Sequence, residues 1–319
     1  MNLKKIIQII KNNKVFLIST HTNPDPDALC CELALYEYLR SLKKKVFIVN
    51  EEATPQRFCF LPQSQRIQVY QKSYGDVFDA AFIVDCGDLG RIGKVHHLIS
   101  QKTKIINIDH HVTNDSFGHV NLIKPNASST AEVLFDFFQK VKFPMNQNVA
   151  LCLYTGIMTD TGSFRYDNTT SHTHQIVAEL MQYHLSTFDL YRKLYEMIPL
   201  NDLRMFSKVM NTFESFHEGK TICLSLKKQI LKRFSDKFDL KDTIFKFLRA
   251  IEGVEVVVIL TQLGSQKTRV NLRSSGHVDV AKLAQHFEGG GHKRASGCVI
   301  NRNLTKSRRA ILQWIREKL

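Results

Sequence analysis

Clusters of aspartate and histidine follow three short apolar runs of the sequence. The runs span 15–20, 78–84 and 104–108, and each predicts a buried strand. The polar residues that follow them are His21, Asp25, Asp27, Asp85, Asp88, Asp109, His110 and His111. A fourth cluster, which contains Asp160, ends a helical pattern over 146–158. Carboxylates and imidazoles are common ligands of divalent metals, so we expect metal chemistry here.

The number of carboxylates favours two metal ions. Carboxylates gathered at one site repel one another, and burying them unpaired is costly. Four of them would match the charge of two divalent cations; these are Asp25, Asp27, Asp85 and Asp160. Two ions held about 3.5–4 Å apart can clamp the attacking and leaving oxygens of a phosphoryl displacement. Ligation by histidine and aspartate without thiolate favours Mn²⁺, with Mg²⁺ and Co²⁺ as alternatives.

Each of these motifs also has a purely structural explanation. Asp–His pairs satisfy one another in protein cores, Asp and Pro are turn residues, and a glycine such as Gly162 can end a helix. The joint occurrence of four clusters at the predicted ends of strands and helices, all within one domain, is what favours the metal site over these alternatives.

A glycine-rich segment near the C-terminus is a second candidate site. The segment 288–297 contains Gly289, Gly290 and Gly291, followed by His292, Lys293 and Arg294. Consecutive glycines let backbone N–H groups approach an anion closely, and the three residues after them would add donors and positive charge. Upstream, Arg273 and Ser274 end a predicted strand, where an arginine can bind phosphate bidentately. The alternatives are a flexible loop and an exposed arginine.

Strand and helix patterns alternate through the first part of the chain. Predicted strands at 15–20, 46–49, 78–84 and 104–108 alternate with predicted helices at 27–42, 91–100, 130–141, 146–158 and 172–183. This alternation predicts an α/β fold with a mainly parallel sheet covered by helices on both faces. In such sheets ligands bind beyond the carboxyl ends of the strands, which is where the acidic clusters stand.

The pattern changes around 186–215, which predicts a helical linker. We therefore predict a metal-binding catalytic domain over 1–185, the linker over 186–215, and a smaller α/β substrate-binding domain over 216–319. The last domain has predicted strands at 221–226, 253–262, 268–272 and 296–300, and predicted helices at 278–286 and 305–319.

Composition excludes several classes of protein. The chain has 319 residues, of which 43% are hydrophobic and 23% charged, so it is not collagen-like, disordered or a disulfide scaffold. No apolar run approaches the ~18 residues of a membrane helix, and the N-terminus lacks the features of a signal peptide. Seven cysteines without a CxxC pair indicate free thiols, and we expect a cytoplasmic protein that does not bind membranes.

The net charge of +14 is distributed unevenly. Residues 1–199 carry 21 basic and 19 acidic side chains, whereas residues 200–319 carry 23 basic and 11 acidic ones. The C-terminal part should therefore attract polyanions, while the N-terminal part is almost neutral before any metal binds.

Together, the motifs resemble the DHH–DHHA1 phosphoesterase superfamily. They are similar to its short bacterial form, which acts as an oligoribonuclease of the nanoRNase type and as a phosphatase of 3′-phosphoadenosine 5′-phosphate. The resemblance runs from His21 to Gly297. It implies that the two domains close on a short substrate, with the active site in the cleft between them.

The resemblance also implies roles for individual residues. One metal would be held by His21, Asp25 and Asp85, and the second by Asp27, Asp85, His110 and Asp160, with Asp85 bridging. His111 would face the scissile phosphate, with Asp109 behind it as the partner that orients an imidazole. The substrate-binding positions of the second domain would be Arg273, Ser274, Gly290, Gly291 and His292. In one departure, Cys30 and Cys31 stand where the family commonly has Gly and Ser; packing is the favoured explanation, and a narrower pocket or redox sensitivity are the alternatives.

The predicted function is Mn²⁺-dependent hydrolysis of short oligoribonucleotides to mononucleotides, removal of the 3′-phosphate of 3′-phosphoadenosine 5′-phosphate, or both. One alternative is a phosphodiesterase of cyclic dinucleotides or of their linear products pApA and pGpG. Another is a non-catalytic RNA-binding module. A family II pyrophosphatase would lack the glycine segment, and a RecJ-like exonuclease would be longer. The sequence leaves the oligomeric state open, a homodimer included.

Overall fold

A computed structural model gives the fold of residues 2–74 and 78–319, except for the side chains of Tyr74 and His292. The backbone forms two units, Met1–Glu196 and Met197–Leu319. The predicted linker over 186–215 is thus divided between the two units.

The first unit is built on a parallel six-stranded sheet. Its strands are β1 (Val15–Ser19), β2 (Lys45–Asn50), β3 (Ile67–Val69), β4 (Ala80–Val84), β5 (Lys104–Asp109) and β6 (Val120–Ile123). They are ordered β3-β2-β1-β4-β5-β6, and every neighbouring pair is parallel. The strand order reverses between β1 and β4, which makes the carboxyl ends of these two strands the expected ligand site of the sheet.

Helical elements cover both faces of this sheet, as the sequence predicted: α-helices pack on one face, and the 3₁₀ segment Leu89–Leu98 packs on the other. The helices of the unit are α1 (Asn2–Asn12), α2 (Pro26–Ser41), α3 (Thr130–Lys140), α4 (Gln147–Asp160), α5 (Ser171–Met181) and α6 (Thr187–Tyr191). Phe16 and Phe82 pack on the side of α2, α3 and α4, whereas Leu17 and Ile83 belong to a second core on the opposite face. This division follows from the alternation of side chains along a strand.

Some elements differ from the predictions. The helix predicted over 91–100 is a 3₁₀ segment, Leu89–Leu98, that is interrupted at Gly93. Gly93 has φ of 60°, in the left-handed region. The carboxylate of Glu51 accepts the N–H of Lys94 at 2.8 Å, and this carboxylate occupies the space that a Cβ at Gly93 would need. The strands β3 and β6, which were not predicted, have only three and four residues and lie at the edges of the sheet.

The second unit has a smaller α/β fold, as predicted. Its strands are β7 (Glu214–Phe216), β8 (Thr221–Leu226), β9 (Val256–Gly264), β10 (Lys267–Ser274), β11 (Gly290–His292) and β12 (Ala295–Ile300), in the order β11-β12-β10-β9-β8-β7. β8 and β9 are parallel, and the other neighbours are antiparallel. Its helices are α7 (Leu200–Met210), α8 (Lys228–Leu231), α9 (Leu240–Leu248), α10 (Val280–His286) and α11 (Leu304–Arg316).

Helices also cover both faces of this second sheet. Val258 and Leu272 belong to a core with α10 and α11, whereas Val257 and Ile259 pack with α7 and α9. None of the helices in the described part of the chain has the length and apolar character required to cross a membrane.

Candidate metal centre

The fold of the first unit gathers all six predicted metal ligands at one edge of its sheet. His21 follows β1, Asp25 and Asp27 stand at the start of α2, Asp85 follows β4, His110 follows β5, and Asp160 ends α4. The ligand atoms lie within 4.8 Å of one another in three overlapping groups, which are His21–Asp25–Asp85, Asp27–His110–Asp160 and Asp85–His110–His111. The proximity of the six side chains is thus a property of the fold, and their role as ligands stays a prediction.

Asp85 occupies the centre of this cluster. Its Oδ2 lies 3.6 Å from Nε2 of His21, and its Oδ1 lies 3.8 Å from Nε2 of His110. The residue has φ of 52°, in the left-handed region that a non-glycine residue rarely adopts, and its N–H donates to the carbonyl of Ile108. Such strain persists only where the surrounding structure imposes it. Here it places one carboxylate between two imidazoles.

The pKa of Asp85 reflects these neighbours. Burial would raise the pKa of a carboxyl group, but the neighbouring imidazoles of His21, His111 and His110 hold the pKa of Asp85 well below its usual range. Thr130 also donates to Oδ1 at 2.8 Å. The Asp85 side chain is therefore ionised, with its two oxygens directed to different neighbours.

Asp27 is held by the N-terminus of a helix that is distant in the sequence. Its two oxygens accept the backbone N–H groups of Thr130, at 2.7 Å, and Ala131, at 3.0 Å, in the first turn of α3. Cys31 contacts Oδ1 at 3.7 Å. Burial raises the pKa of Asp27 well above its usual range, and the carboxylates of Asp85 and Asp160 raise it further.

Two histidines present one ring nitrogen each to the carboxylates. Nδ1 of His21 lies 2.9 Å from the carbonyl oxygen of Thr22, and Nδ1 of His110 lies 3.2 Å from that of Ala127. A carbonyl oxygen can only accept, so in the neutral ring Nδ1 carries the proton and Nε2 offers its lone pair. Nε2 of His110 lies 3.2 Å from Oδ2 of Asp160. This is the arrangement of metal-binding imidazoles, whose other nitrogen is fixed by an outer partner.

His111 has a different partner from His110. Its Nδ1 lies 2.7 Å from Oδ1 of Asp109, a fully buried carboxylate that also accepts the N–H of His110 and the side-chain amide of Asn114. Burial would lower the pKa of His111, but the bond to Asp109 raises it above its ordinary value. The same bond lowers the pKa of Asp109 despite its burial. His111 is thus oriented and favoured in its cationic form.

The donor set is compatible with divalent metal. It consists of imidazole nitrogens and carboxylate oxygens, the ligand types of Mn²⁺ and related ions. Burial raises the pKa of Asp160 well above its usual range, and Asp25 and Asp85 raise it further. Two of the carboxylates, those of Asp27 and Asp160, therefore have unfavourable electrostatic energy that a cation would relieve.

Several residues that support this cluster were not identified from the sequence. Thr130 and Ala131 hold Asp27, and Asn114 holds Asp109. Gly156 of α4 faces Asp27, and a Cβ added to it would lie 2.4 Å from Oδ1. Ser129 caps α3 with its hydroxyl, so the Ser-x-x-Glu pattern starting at Ser129 was the available signal for this helix start.

In the second unit, the predicted substrate residues stand at the end of β10 and in the hairpin of β11 and β12. Arg273 lies over the ring of Phe245, with 4.9 Å from Cζ to the ring centroid. Ser274 is buried, and its hydroxyl donates to Oε1 of Glu255 at 3.1 Å. The same oxygen accepts the backbone N–H groups of Gly276, His277 and Val278. Glu255 therefore fixes the turn that follows Arg273.

Part of the glycine segment is a strand, in place of the flexible loop that was the alternative interpretation. Gly290, Gly291 and His292 form β11, which pairs with β12, and the side chain of His292 lies outside the described part of the structure. A Cβ at Gly289 or Gly291 would lie within 2.5 Å of β12. One at Gly290 would meet nothing within 4 Å. Arg294 is exposed in the hairpin turn, with its Nε 3.3 Å from the position of a Cβ at Gly276.

Comparison with protein families assigns a model to each unit. The model of the "DHH family, N-terminal domain" matches residues 15–157, and that of the "DHHA1 domain" matches residues 227–317. The first match contains five of the six predicted metal ligands, and the second contains the β11–β12 hairpin.

Similar proteins extend over nearly the whole chain. A protein of Thermus thermophilus named "Bifunctional oligoribonuclease and PAP phosphatase NrnA" is 30% identical over 306 residues, 95% of this chain and 89% of that protein. A protein of the same name in Bacillus subtilis is 28% identical and covers 93% of this chain and 92% of its own. The crystal structure of an exopolyphosphatase-related protein of Bacteroides fragilis superposes with a TM-score of 0.88 at 25% identity, covering 98% of this chain and 95% of that one.

Proposed function

The chain belongs to the DHH family, with a DHHA1 domain as its second unit, and from this premise we propose that it hydrolyses short oligoribonucleotides and removes the 3′-phosphate of 3′-phosphoadenosine 5′-phosphate. Family membership makes it a hydrolase of phosphoester bonds. The substrates of the proposal are those in the names of relatives that match more than nine-tenths of this chain. We propose two divalent metal ions as cofactors, with Mn²⁺ favoured.

The observation that carries the proposal is the double ligand set around Asp85. His21, Asp25 and Asp85 would hold one ion. Asp27, Asp85, His110 and Asp160 would hold the second. When bound, such ions polarise a phosphoryl oxygen and lower the pKa of water toward neutrality.

The remaining residues of the first unit would act on the substrate directly or through a neighbour. The bond between Nδ1 and Asp109 orients the ring of His111, whose Nε2–H would donate to a non-bridging oxygen of the scissile phosphate. Its raised pKa favours the imidazolium, which would stabilise the charge that develops on that oxygen. Asp109 is then a positioning residue, because its oxygens are already used by His110, His111 and Asn114.

The second unit would bind the far end of the substrate. Arg273 offers a guanidinium for bidentate phosphate binding, and Arg294 offers a second cation. Gly290 is the glycine of its segment at which the backbone is open to a ligand. Ser274 would act through the turn fixed by Glu255, because its hydroxyl already donates to that carboxylate.

A turnover panel with Mn²⁺ tests the proposal. The substrates are a labelled dinucleotide, a 20-mer, 3′-phosphoadenosine 5′-phosphate, pApA, pGpG and a cyclic dinucleotide. We expect turnover of the dinucleotide and of 3′-phosphoadenosine 5′-phosphate, and loss of both with Asp85→Asn. Equal rates on the dinucleotide and the 20-mer would contradict the preference for short substrates. Full activity of Asp85→Asn, or activity that survives complete chelation, would contradict the metal centre.

A further inference from the structure

A groove of about 540 Å³ lies in the second unit between the turn after β7 and helix α11. Its lining includes Phe216, His217, Arg308, Arg309, Leu312 and Arg316. β7 is one edge strand of the six-stranded sheet and β11 is the other. Five strand spacings of about 4.8 Å therefore separate the groove from the glycine strand, a distance of roughly 24 Å. Three spacings, or roughly 14 Å, separate β7 from β10, the strand that ends with Arg273 and Ser274, so the groove is distinct from the predicted substrate residues of this unit.

The groove has a strongly basic wall. Between residues 302 and 319 the chain has six basic side chains and one acidic side chain. α11 buries Ser307, Ile311 and Ile315, which leaves Arg308, Arg309 and Arg316 to the groove. Positions 309 and 316 are seven residues apart, so these two side chains lie on the same side of the helix.

Among the described residues, one acidic side chain pairs with an arginine of this wall, and the groove keeps a positive charge. The carboxylate of Glu214 in β7 pairs with the guanidinium of Arg308 and fixes its position. Arg309 and Arg316 add two further positive charges to the lining. Partial burial lowers the pKa of His217, and Arg316 lowers it further, which is the effect of a positive potential at that ring. The groove therefore favours an anion.

The floor of the groove is apolar and partly aromatic. Phe216 and Leu312 are half-buried and pack against the core beneath α11. The Phe216 ring lies 6.4 Å from that of His217, centroid to centroid. His217 has φ of 53°, in the left-handed region, and its Nδ1 lies 3.0 Å from the hydroxyl of Thr221. The turn therefore holds a second ring at the groove.

We propose that this groove binds a nucleotide unit, with its phosphate on Arg309 and Arg316 and its base against Phe216 and Leu312. Arginines beside an aromatic face are the combination that binds single-stranded nucleic acid, because phosphate and base are recognised separately. The same chemistry is offered by a free mononucleotide and by one residue of an RNA strand. The proposal concerns binding, so its test does not depend on hydrolysis or on the proposed function.

The test compares two doubly substituted full-length proteins of equal charge. Arg309→Gln with Arg316→Gln alters the groove, whereas Arg302→Gln with Lys306→Gln removes two charges beside it that do not line it. The ligands are AMP, inorganic phosphate and a phosphorothioate 12-mer oligoribonucleotide. The local readout is the pKa of His217, measured by NMR and assigned with His217→Gln. Binding of the 12-mer is measured by calorimetry at several salt concentrations.

An anion in the groove should raise the pKa of His217, and the groove variant should abolish this response while the control keeps it. A response to AMP identifies a free nucleotide as a sufficient ligand, and a response to the 12-mer alone identifies a strand. For the strand, losing two phosphate contacts should reduce the salt slope of log K by about 1.4. Phe216→Leu should weaken the binding of AMP and leave the binding of inorganic phosphate unchanged. No response to AMP or to the 12-mer would overturn the proposal, as would equal affinity for AMP and inorganic phosphate.

Discussion

Nδ1 of His111 lies 2.7 Å from Oδ1 of the buried Asp109, two residues earlier in the chain. His110, between them, has its Nδ1 on the carbonyl of Ala127 instead. A carboxylate partner favours a cationic imidazole at His111, whereas the carbonyl partner of His110 fixes its Nδ1 and directs its Nε2 toward Asp160 and Asp85. Two adjacent histidines therefore have different hydrogen-bond partners, which fits His111 for charge stabilisation and His110 for metal binding.

The Asp109–His111 bond leads to the first prediction. Asp109→Asn removes the negative charge that orients His111 and favours its cationic form. It also weakens the hydrogen bond that the Asp109 side chain accepts from the backbone N–H of His110. We expect kcat for 3′-phosphoadenosine 5′-phosphate to fall about 10–100-fold, with a smaller change in KM, because the lost interaction acts on developing charge. Asp115→Asn, an exposed substitution of the same kind, is the control and should keep its kcat. A change confined to KM would contradict the role given to His111.

Much of the cluster of predicted metal ligands could be inferred from the sequence. Asp85 and His110 follow strands that are parallel neighbours, so their side chains had to meet at one edge once the strands were recognised. His21 follows β1, which pairs with β4, and the same argument applies to it. The prediction needed no distances, because the direction of parallel strands alone fixes the common edge.

The supports of the cluster were not predictable, because they depend on packing between distant segments. Thr130 donates to Asp27 across 103 positions of sequence, and no local pattern reports such a contact. Gly156 lies inside a helix with no turn to explain it, and its reason is the approach of Asp27. Likewise, no local pattern distinguished a strand from a flexible loop at the glycine segment, and the close approach of β12 explains why this strand needs glycines.

The second prediction concerns Gly156. In Gly156→Ala, the added Cβ would lie 2.4 Å from Oδ1 of Asp27 and 2.7 Å from Cβ of Ala131, so α2, α3 and α4 would have to separate locally. We expect a destabilisation of about 1–3 kcal/mol and weaker Mn²⁺ binding. Urea unfolding and calorimetric titration with Mn²⁺ measure the two effects. Gly264→Ala is the control, because its Cβ would make an ordinary contact at 3.9 Å. Unchanged Mn²⁺ affinity in Gly156→Ala would show that metal binding does not depend on the close contact between Gly156 and Asp27.

The third prediction separates two neighbouring glycines by role. A Cβ at Gly291 would lie 2.5 Å from Cα of Ser296, and the residue has φ of 137°, so Gly291→Ala should lower the free energy of unfolding of the second unit. Gly290 has open space around its Cβ position. Gly290→Ala should therefore leave the free energy of unfolding within about 0.5 kcal/mol of the wild-type value. It should raise KM, because the added methyl group would block the approach of a substrate phosphate to the backbone. Gly290→Ala with unchanged KM would exclude backbone binding there.

The fourth prediction concerns Glu32, a buried carboxyl group in α2. Burial raises its pKa to about 8, and the side-chain amide of Asn50, which donates to Oε2 at 2.9 Å, offsets this only in part. Among the described residues, Oε1 has no hydrogen-bond partner. The folded protein therefore keeps a proton on Glu32 near neutral pH, whereas the unfolded chain loses it above the ordinary glutamate pKa of 4.5.

The sign of the resulting pH dependence follows from proton uptake. Between pH 4.5 and about 8 the folded state binds one proton more than the unfolded state, so stability falls as pH rises through this window. Glu32→Gln keeps a neutral amide of the same shape and removes this dependence. We expect the urea midpoint of the variant to exceed that of the wild type by more at pH 8 than at pH 5.5, with a free-energy difference of up to a few kcal/mol. Glu37→Gln, on a less buried face of the same helix, is the control. Parallel pH profiles for the wild type and Glu32→Gln would show that Glu32 is ionised in the folded protein.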